Sequence, residues 1–163
     1  MVSEEWVDIV DENNNVIGTA PRSEMRRQKL LHRASYIVIT NKLGQVYVQR
    51  RTATKDYCPS MLDACCGGVV AAGEDILSSA YRELAEEMGI RDVSLTPHGS
   101  FLHINSEGKV WGALFSCQYD GELTLQAEEV EYVLLMTPQE MLARESEFTP
   151  DSLDAIRLWL SPL

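Results

Sequence analysis

Glu83, Glu86 and Glu87 are the side chains of this sequence best placed to do chemistry. They stand at i, i+3 and i+4. At 100° per residue on a helix they share an arc of about 100°. Like charges at that spacing repel by roughly a few tenths of a kcal/mol per pair, and a cation removes the repulsion. Hard oxygen donors on a rigid element suit Mg²⁺ or Mn²⁺, with water and phosphate oxygens completing the shell. Taken alone, the spacing also fits a solvated acidic helix face.

The surrounding residues predict the element that carries these glutamates. Gly67, Gly68 and Gly73 interrupt regular structure, so the segment opens as a loop. Glu74 and Asp75 put negative charge where a helix would begin, the favourable end of the macrodipole. Leu77, Ala80, Leu84 and Met88 recur at helical spacing and form one apolar stripe. Gly89 then stands where a left-handed terminator belongs. The expectation is loop–helix–loop, with the helix near 75–88.

Read together, residues 68–90 run Gly68, five residues, Glu74, seven residues, Arg82-Glu83-Leu84, one residue, Glu86-Glu87, one residue, Gly89-Ile90. This resembles the signature of the Nudix hydrolases, position for position. The resemblance implies a metal-dependent enzyme that splits a diphosphate linked to another moiety, such as a nucleoside diphosphate derivative. It implies a single α/β domain over 1–163, an α/β/α sandwich with a mixed sheet, in which residues 1–33 are an N-terminal hairpin extension. It also implies that Arg82 orients the glutamates through an ion pair with Glu74. A backbone carbonyl of Gly67 or Gly68 would join Glu83, Glu86 and Glu87 as metal ligands. The general base would come from the motif helix (Glu83 or Glu87) or from a later loop, where Glu128 and Glu129 are candidates. An acidic solvated loop is the alternative for the latter pair.

Further segments, Leu31-His32-x-Ala34, Val48-Gln49-Arg50-Arg51 with Lys55, and Cys66-Gly67, resemble the type I isopentenyl-diphosphate isomerases of the same superfamily. Cys66 and His32 align with that pattern. The first metal histidine of the isomerases falls near Met25, Gly68 replaces the histidine after Cys-Gly, and 111–115 holds no acid. The full glutamate set therefore implies a hydrolase on an isomerase-like framework. An isomerase-like enzyme and a catalytically silent diphosphate-binding module remain as alternatives. His32 is read as structural rather than as a ligand.

Basic residues that could hold phosphate precede the motif. Arg50 and Arg51 end a predicted strand and Lys55 follows in a loop. A guanidinium can grip phosphate through paired hydrogen bonds, so Arg51 and Lys55 are expected to clamp the diphosphate, with two surface charges capping a strand as the alternative. Arg22, Arg26, Arg27, Lys29 and Arg33 form a second cluster, either a cover for an anionic part of the substrate or a solvated face. Phe101, Trp111, Phe115 and Tyr119 could stack a base, with core packing as the favoured alternative.

The chain has 163 residues, 45% of them apolar, and a net charge of −11. That length suits one core. The charge argues against nucleic-acid polymers and anionic membranes as partners, but not against a small diphosphate bridged by metal. Without a long apolar run or a basic-then-apolar leader, the expected location is cytoplasmic. The resemblance leaves a homodimer open. Cys58, Cys65, Cys66 and Cys117 make no C-x-x-C pair, so zinc is not expected, and vicinal Cys65 and Cys66 read as buried reduced thiols.

Predicted strands are Trp6–Val10 and Val16–Thr19 (a hairpin around 11–15), Ala34–Thr40, Val46–Arg50, Ala64–Val70, Gly99–Asn105, Lys109–Tyr119 and Val130–Met136. Residues 23–31 read as helical. Thr137-Pro138 with Glu140 signals a capped helix to about Ala143. Thr149-Pro150 starts a last helix, with Leu153, Ile156 and Leu160 facing inward.

Overall fold

The computed structural model describes residues 4–161, so residues 1–3 and 162–163 of the expected domain lie outside the described residues. In chain order the elements are β1 (Trp6–Val10), β2 (Val16–Pro21), α1 (Arg22–Gln28), β3 (His32–Thr40) and β4 (Val46–Arg51). After them come β5 (Leu62–Asp63), α2 (Ile76–Met88), β6 (Thr96–Asn105), β7 (Gly108–Gln118) and β8 (Val130–Met136). The chain closes with α3 (Pro138–Leu142), a 3-10 turn (Glu145–Glu147) and α4 (Pro150–Leu160).

The central strand is β3, whose alternating residues feed two cores. Ala34, Tyr36 and Val38 point to one face, where they meet Leu153, Ala155 and Ile156 of α4. Ile37 and Ile39 point to the other, where they meet Ala80, Leu84 and Met88 of α2 with Phe115 and Cys117 of β7. This period of two, serving both faces of one sheet, makes the α/β/α sandwich. The sheet is mixed. β3 runs parallel to β7 from His32↔Val110 to Thr40↔Gln118, while β6–β7, β1–β2 and β4–β8 are antiparallel.

The second edge of β3 positions the site. β4 meets it only at Thr40↔Val46 and β1 only at Ile9↔His32. Between those points the segment after β5 takes the edge through single bridges, Ile37↔Cys66 and Ala34↔Val69. The strand expected over Ala64–Val70 is therefore not continuous. Gly67 interrupts it at φ +144°, and a Cβ there would lie 2.0 Å from the Ser35 carbonyl oxygen. Only glycine fits this pinch, which turns the chain towards α2 and leaves the Gly67 and Gly68 backbone beside the glutamates.

Two apolar expectations change. Leu77 is 44% exposed, because the face of α2 that meets the sheet steps by four through Ile76, Ala80, Leu84 and Met88, leaving Leu77 about 100° from Ile76. Leu160 is also exposed, and Leu158 and Trp159 take the core contact in the last turn of α4. The N-terminal hairpin forms as expected, its turn held by the Asp11 carboxylate accepting from the Asn13 and Asn15 amides at 2.9 Å. The capping box at Thr137 and Glu140 is present. Residues 29–31, expected to be helical, fall outside α1, since Lys29 caps it in the left-handed region.

Candidate active site

The glutamate helix is fixed at both ends by its own sequence. Asp75 caps it, accepting from the Ser78 amide at 3.0 Å, and Gly89 ends it at φ 69°. Its C-terminal carbonyls are met by a later loop: the Thr124 amide donates to Met88 O and the Gln126 amide to Glu87 O, both at 3.0 Å. This docking brings Glu128 and Glu129 across a cleft from Glu83, Glu86 and Glu87. The expected motif glutamates and the loop glutamates thus share one cavity, which Gly67, Gly68, Lys55 and Arg82 also line.

Arg82 ties this acidic wall together. Its Nε donates to Glu74 Oε2 at 2.8 Å and its Nη2 to Glu74 Oε1 at 3.0 Å. Its Nη1 lies 3.1 Å from Glu83 Oε1 and 3.2 Å from Glu86 Oε2. The side-chain hydrogen bond from Arg82 holds Glu74 below its ordinary pKa. Glu87 is the most deeply buried of the three, only 6% exposed. Burial, and then the neighbouring Glu83 charge, push its pKa well above the ordinary range. Burial also raises Glu83. Gln49 Nε2, on β4, reaches Glu87 Oε1 at 3.4 Å.

These residues fit a divalent cation in their donor chemistry. A buried carboxyl raised by burial and by a neighbouring carboxylate is relieved when a cation takes the place of its proton. Gly68 lets the wall close in: a Cβ there would come within 3.0 Å of the Glu83 carboxyl. Among the described residues no three such side chains already converge on one point. Glu83 and Glu86 are drawn to Arg82, and Glu87 faces Gln49 and Cys66.

A second cavity adjoins the first, the two sharing Arg22, Lys55, Gly67 and Gly68 as their common rim. Arg51 lines this second cavity and not the acidic cleft itself. Its Nε donates to Tyr57 O at 3.0 Å and its Nη1 to Asp63 at 3.1 Å, so part of its fork is occupied. Lys55 faces both cavities and pairs with Glu129. Of the second basic cluster, Arg22 and Arg26 line the cavity. Arg33 instead holds Asn14 in the N-terminal turn, Arg27 pairs with Glu24, and Lys29 donates to Ser106 O.

His32 is buried, its Nδ1 2.9 Å from the Leu30 carbonyl. Burial pushes its pKa down to about 4. A neutral ring fixed by backbone supports its structural reading. All four cysteines are free, and Cys65 and Cys66 are buried. Cys66 Sγ lies 3.5 Å from Glu87 Oε1, and burial beside that carboxyl raises its thiol pKa. Phe115 is core, and Phe101 packs on Tyr36 with ring centroids 5.0 Å apart. Tyr119 and Trp111 line neither cavity.

Several site residues lie outside the motif. Asp63 and Asp151 face the second cavity, and Asp151 accepts from Tyr36 at 2.7 Å and from Tyr57 at 3.2 Å. No local pattern marks them, since they converge from β5, β3, a loop and α4. The sequence signal nearest them is the helix start at Thr149-Pro150.

A family model described as NUDIX domain matches residues 30–158. The chain belongs to the Nudix family. As a Nudix hydrolase it is a pyrophosphohydrolase acting on acid anhydrides in phosphorus-containing compounds. Hydrolases of this family generally use divalent metal ions and act on small-molecule substrates. The Nudix chain is 53% identical over 160 residues to an uncharacterized Nudix hydrolase, YfcD of Escherichia coli K12, covering 98% of this chain and 89% of that one. DR0079 of Deinococcus radiodurans shares the fold at a TM-score of 0.81 and 24% identity, over 95% of this chain and 98% of that one. The NUDIX domain of Shewanella oneidensis NrtR, solved with ADP ribose, superposes at a TM-score of 0.61 and 14% identity, over 78% and 84% of the chains. Among the described residues, no helix is long and apolar enough to cross a membrane.

Proposed function

We propose that this Nudix chain hydrolyses a diphosphate linked to a second moiety, with water attacking phosphorus in the cleft between α2 and the loop at Glu128. The observation that carries this reading is the wall of Glu83, Glu86 and Glu87, organised by Arg82 and faced by cationic Arg22 and Lys55 at the junction of two cavities. Glu83, Glu86 and Glu87, with a backbone carbonyl of Gly67 or Gly68, would hold Mg²⁺ or Mn²⁺. A divalent cation bound there neutralises phosphate charge and lowers the pKa of the attacking water.

The protein's own groups do the rest. Lys55 and Arg51 clamp the diphosphate from the cavity side, Lys55 as a point charge and Arg51 through the donors not used on Tyr57 and Asp63. Glu128 takes the proton of the attacking water. It is exposed, and among the described residues its carboxylate makes no hydrogen bond or ion pair, whereas Glu129 is paired with Lys55. The P–O bond to the leaving group breaks as the new one forms. Positioning and charge supply most of the acceleration, as in other phosphoryl transfers.

Isomerase chemistry has little support in these residues. The Cys66 thiol is buried, its pKa raised, and turned to Glu87, and 111–115 supplies no acid. The ADP ribose bound by the NrtR domain supports the class of diphosphates with a second moiety. The test is a screen of nucleoside diphosphates, nucleotide sugars, other substituted diphosphates and isopentenyl diphosphate with Mg²⁺ and Mn²⁺. Metal-dependent release of phosphate or a phosphomonoester is expected. Turnover of isopentenyl diphosphate to its isomer, with no hydrolysis of any member, would overturn the reading.

A further inference from the structure

The second cavity is built for charge. Arg22 and Arg26 reach it from α1, Arg51 from the end of β4, and Lys55 from the following loop. In a chain of net charge −11, this is a local concentration of cations around a cavity of about 70 Å³. Two acids, Asp63 and Asp151, lie in the same wall, but both are engaged. Asp63 pairs with Arg51, and Asp151 accepts from Tyr36 and Tyr57.

Lys109 also lines the cavity but is exposed, and Arg26 is the part-buried cation with least compensation. Its Nε is buried and makes no hydrogen bond. Its nearest acid, Asp56, lies 3.5 Å away and is hydrogen-bonded to Arg22. Burial works against the Arg26 charge, and the Arg22 and Arg51 cations add to that, with Asp56 opposing. A guanidinium whose one carboxylate partner is shared with Arg22 is left with donors that a ligand oxygen would satisfy.

The aromatic groups here are already occupied. Arg26 and Arg51 both lie against the Tyr57 ring, 5.0 and 5.8 Å from its centroid. Tyr36 is buried on Phe101. The tyrosine rings are thus already engaged, and a bare hydrocarbon chain would desolvate several charges without pairing them.

We propose that this cavity receives the second moiety of the substrate, and that this moiety is a compact polar group carrying an oxyanion of its own, held by Arg26 with Arg22. The proposal rests on the hydrolase reading above, because the shared rim at Lys55, Gly67 and Gly68 is what joins the two anion sites into one ligand path. Phosphate and carboxylate offer Arg26 the same oxygen pair, and the probes separate them.

The test compares ω-phosphoalkyl diphosphates of graded spacer length with the plain alkyl diphosphates and with ω-carboxyalkyl ones, in the presence of Mg²⁺ or Mn²⁺. Wild-type protein should prefer one oxyanion-bearing series over the plain series by about tenfold or more in kcat/KM, the scale of one charge-assisted hydrogen bond. Which series is preferred identifies the oxyanion. In R26Q that preference should fall to near unity, and in R26K it should be partly retained, with unchanged circular dichroism in both. No preference in wild type, or one that survives R26Q, overturns the proposal.

A second arm separates it from the hydrolase reading: binding of inorganic phosphate by calorimetry in EDTA. Phosphate binding that is weakened in R26Q but kept in E86Q supports the anion site even if no diphosphate is hydrolysed. Equal binding by wild type and R26Q, or none by wild type, counts against it.

Discussion

Arg82 grips Glu74 at two points, Nε to Oε2 at 2.8 Å and Nη2 to Oε1 at 3.0 Å, across eight residues of chain. The pair joins the loop before α2 to the helix itself and leaves Nη1 free to reach Glu83 and Glu86. In the proposed site Arg82 is a positioning residue. It sets where two carboxylates stand before any cation arrives.

Replacing Arg82 by Lys keeps the charge and removes the fork. Apparent Mg²⁺ or Mn²⁺ affinity should fall about tenfold or more, the usual size of a loss behind a metal ligand. E74Q should give a similar fall. Metal titrations of activity and of thermal stability read it, and unchanged affinity in both variants would remove Arg82 from this role.

The proton-accepting role given to Glu128 predicts that E128Q lowers kcat by about 100-fold or more, with KM and metal affinity little changed. E129Q should have the smaller effect, since Glu129 is engaged with Lys55. A kcat collapse in E129Q with E128Q near wild type would transfer the role to the neighbour.

The local part of the site was legible in sequence because its geometry is helical and short-range. Spacing alone put Glu83, Glu86 and Glu87 on one side of α2, and the Nudix resemblance added the Arg82–Glu74 pair. The second cavity was not legible in the same way. Arg22, Arg51, Asp63 and Asp151 are brought together by the packing of α1, β4, β5 and α4, and no spacing rule encodes that. Arg26 shows the limit well: among five basic residues of one segment, only the fold tells which two turn inward. Leu77 marks a smaller failure, where the apolar period allowed either Ile76 or Leu77 and the sheet selected the first.

His32 ties stability to pH. Its folded pKa is depressed, to about 4 from 6.5, so the unfolded chain binds the proton more readily. Stability from this group is full above about pH 6.5 and is lost as pH falls towards 4, by about 3 kcal/mol. In denaturant titrations, the advantage of wild type over H32N should therefore shrink as pH falls through that window. A gap independent of pH would contradict the assignment.

Cys66 lies beside Glu87 and has no part in the proposed hydrolysis. C66S should hold hydrolysis within about tenfold of wild type, a change under about 1.4 kcal/mol in barrier, and neither protein should convert isopentenyl to dimethylallyl diphosphate. Isomerisation by wild type that vanishes in C66S would restore the isomerase alternative.

The most direct test of the account is the rate of diphosphate hydrolysis by wild type and E86Q, each with saturating Mg²⁺ or Mn²⁺ and again in excess EDTA, on a substrate found by the screen. Removing one carboxylate charge while keeping its shape should lower kcat by at least about 100-fold, roughly 2.7 kcal/mol of barrier, and EDTA should abolish wild-type turnover. Full wild-type activity in EDTA, or E86Q turning over like wild type, would contradict the glutamate wall as the metal-holding centre of this enzyme.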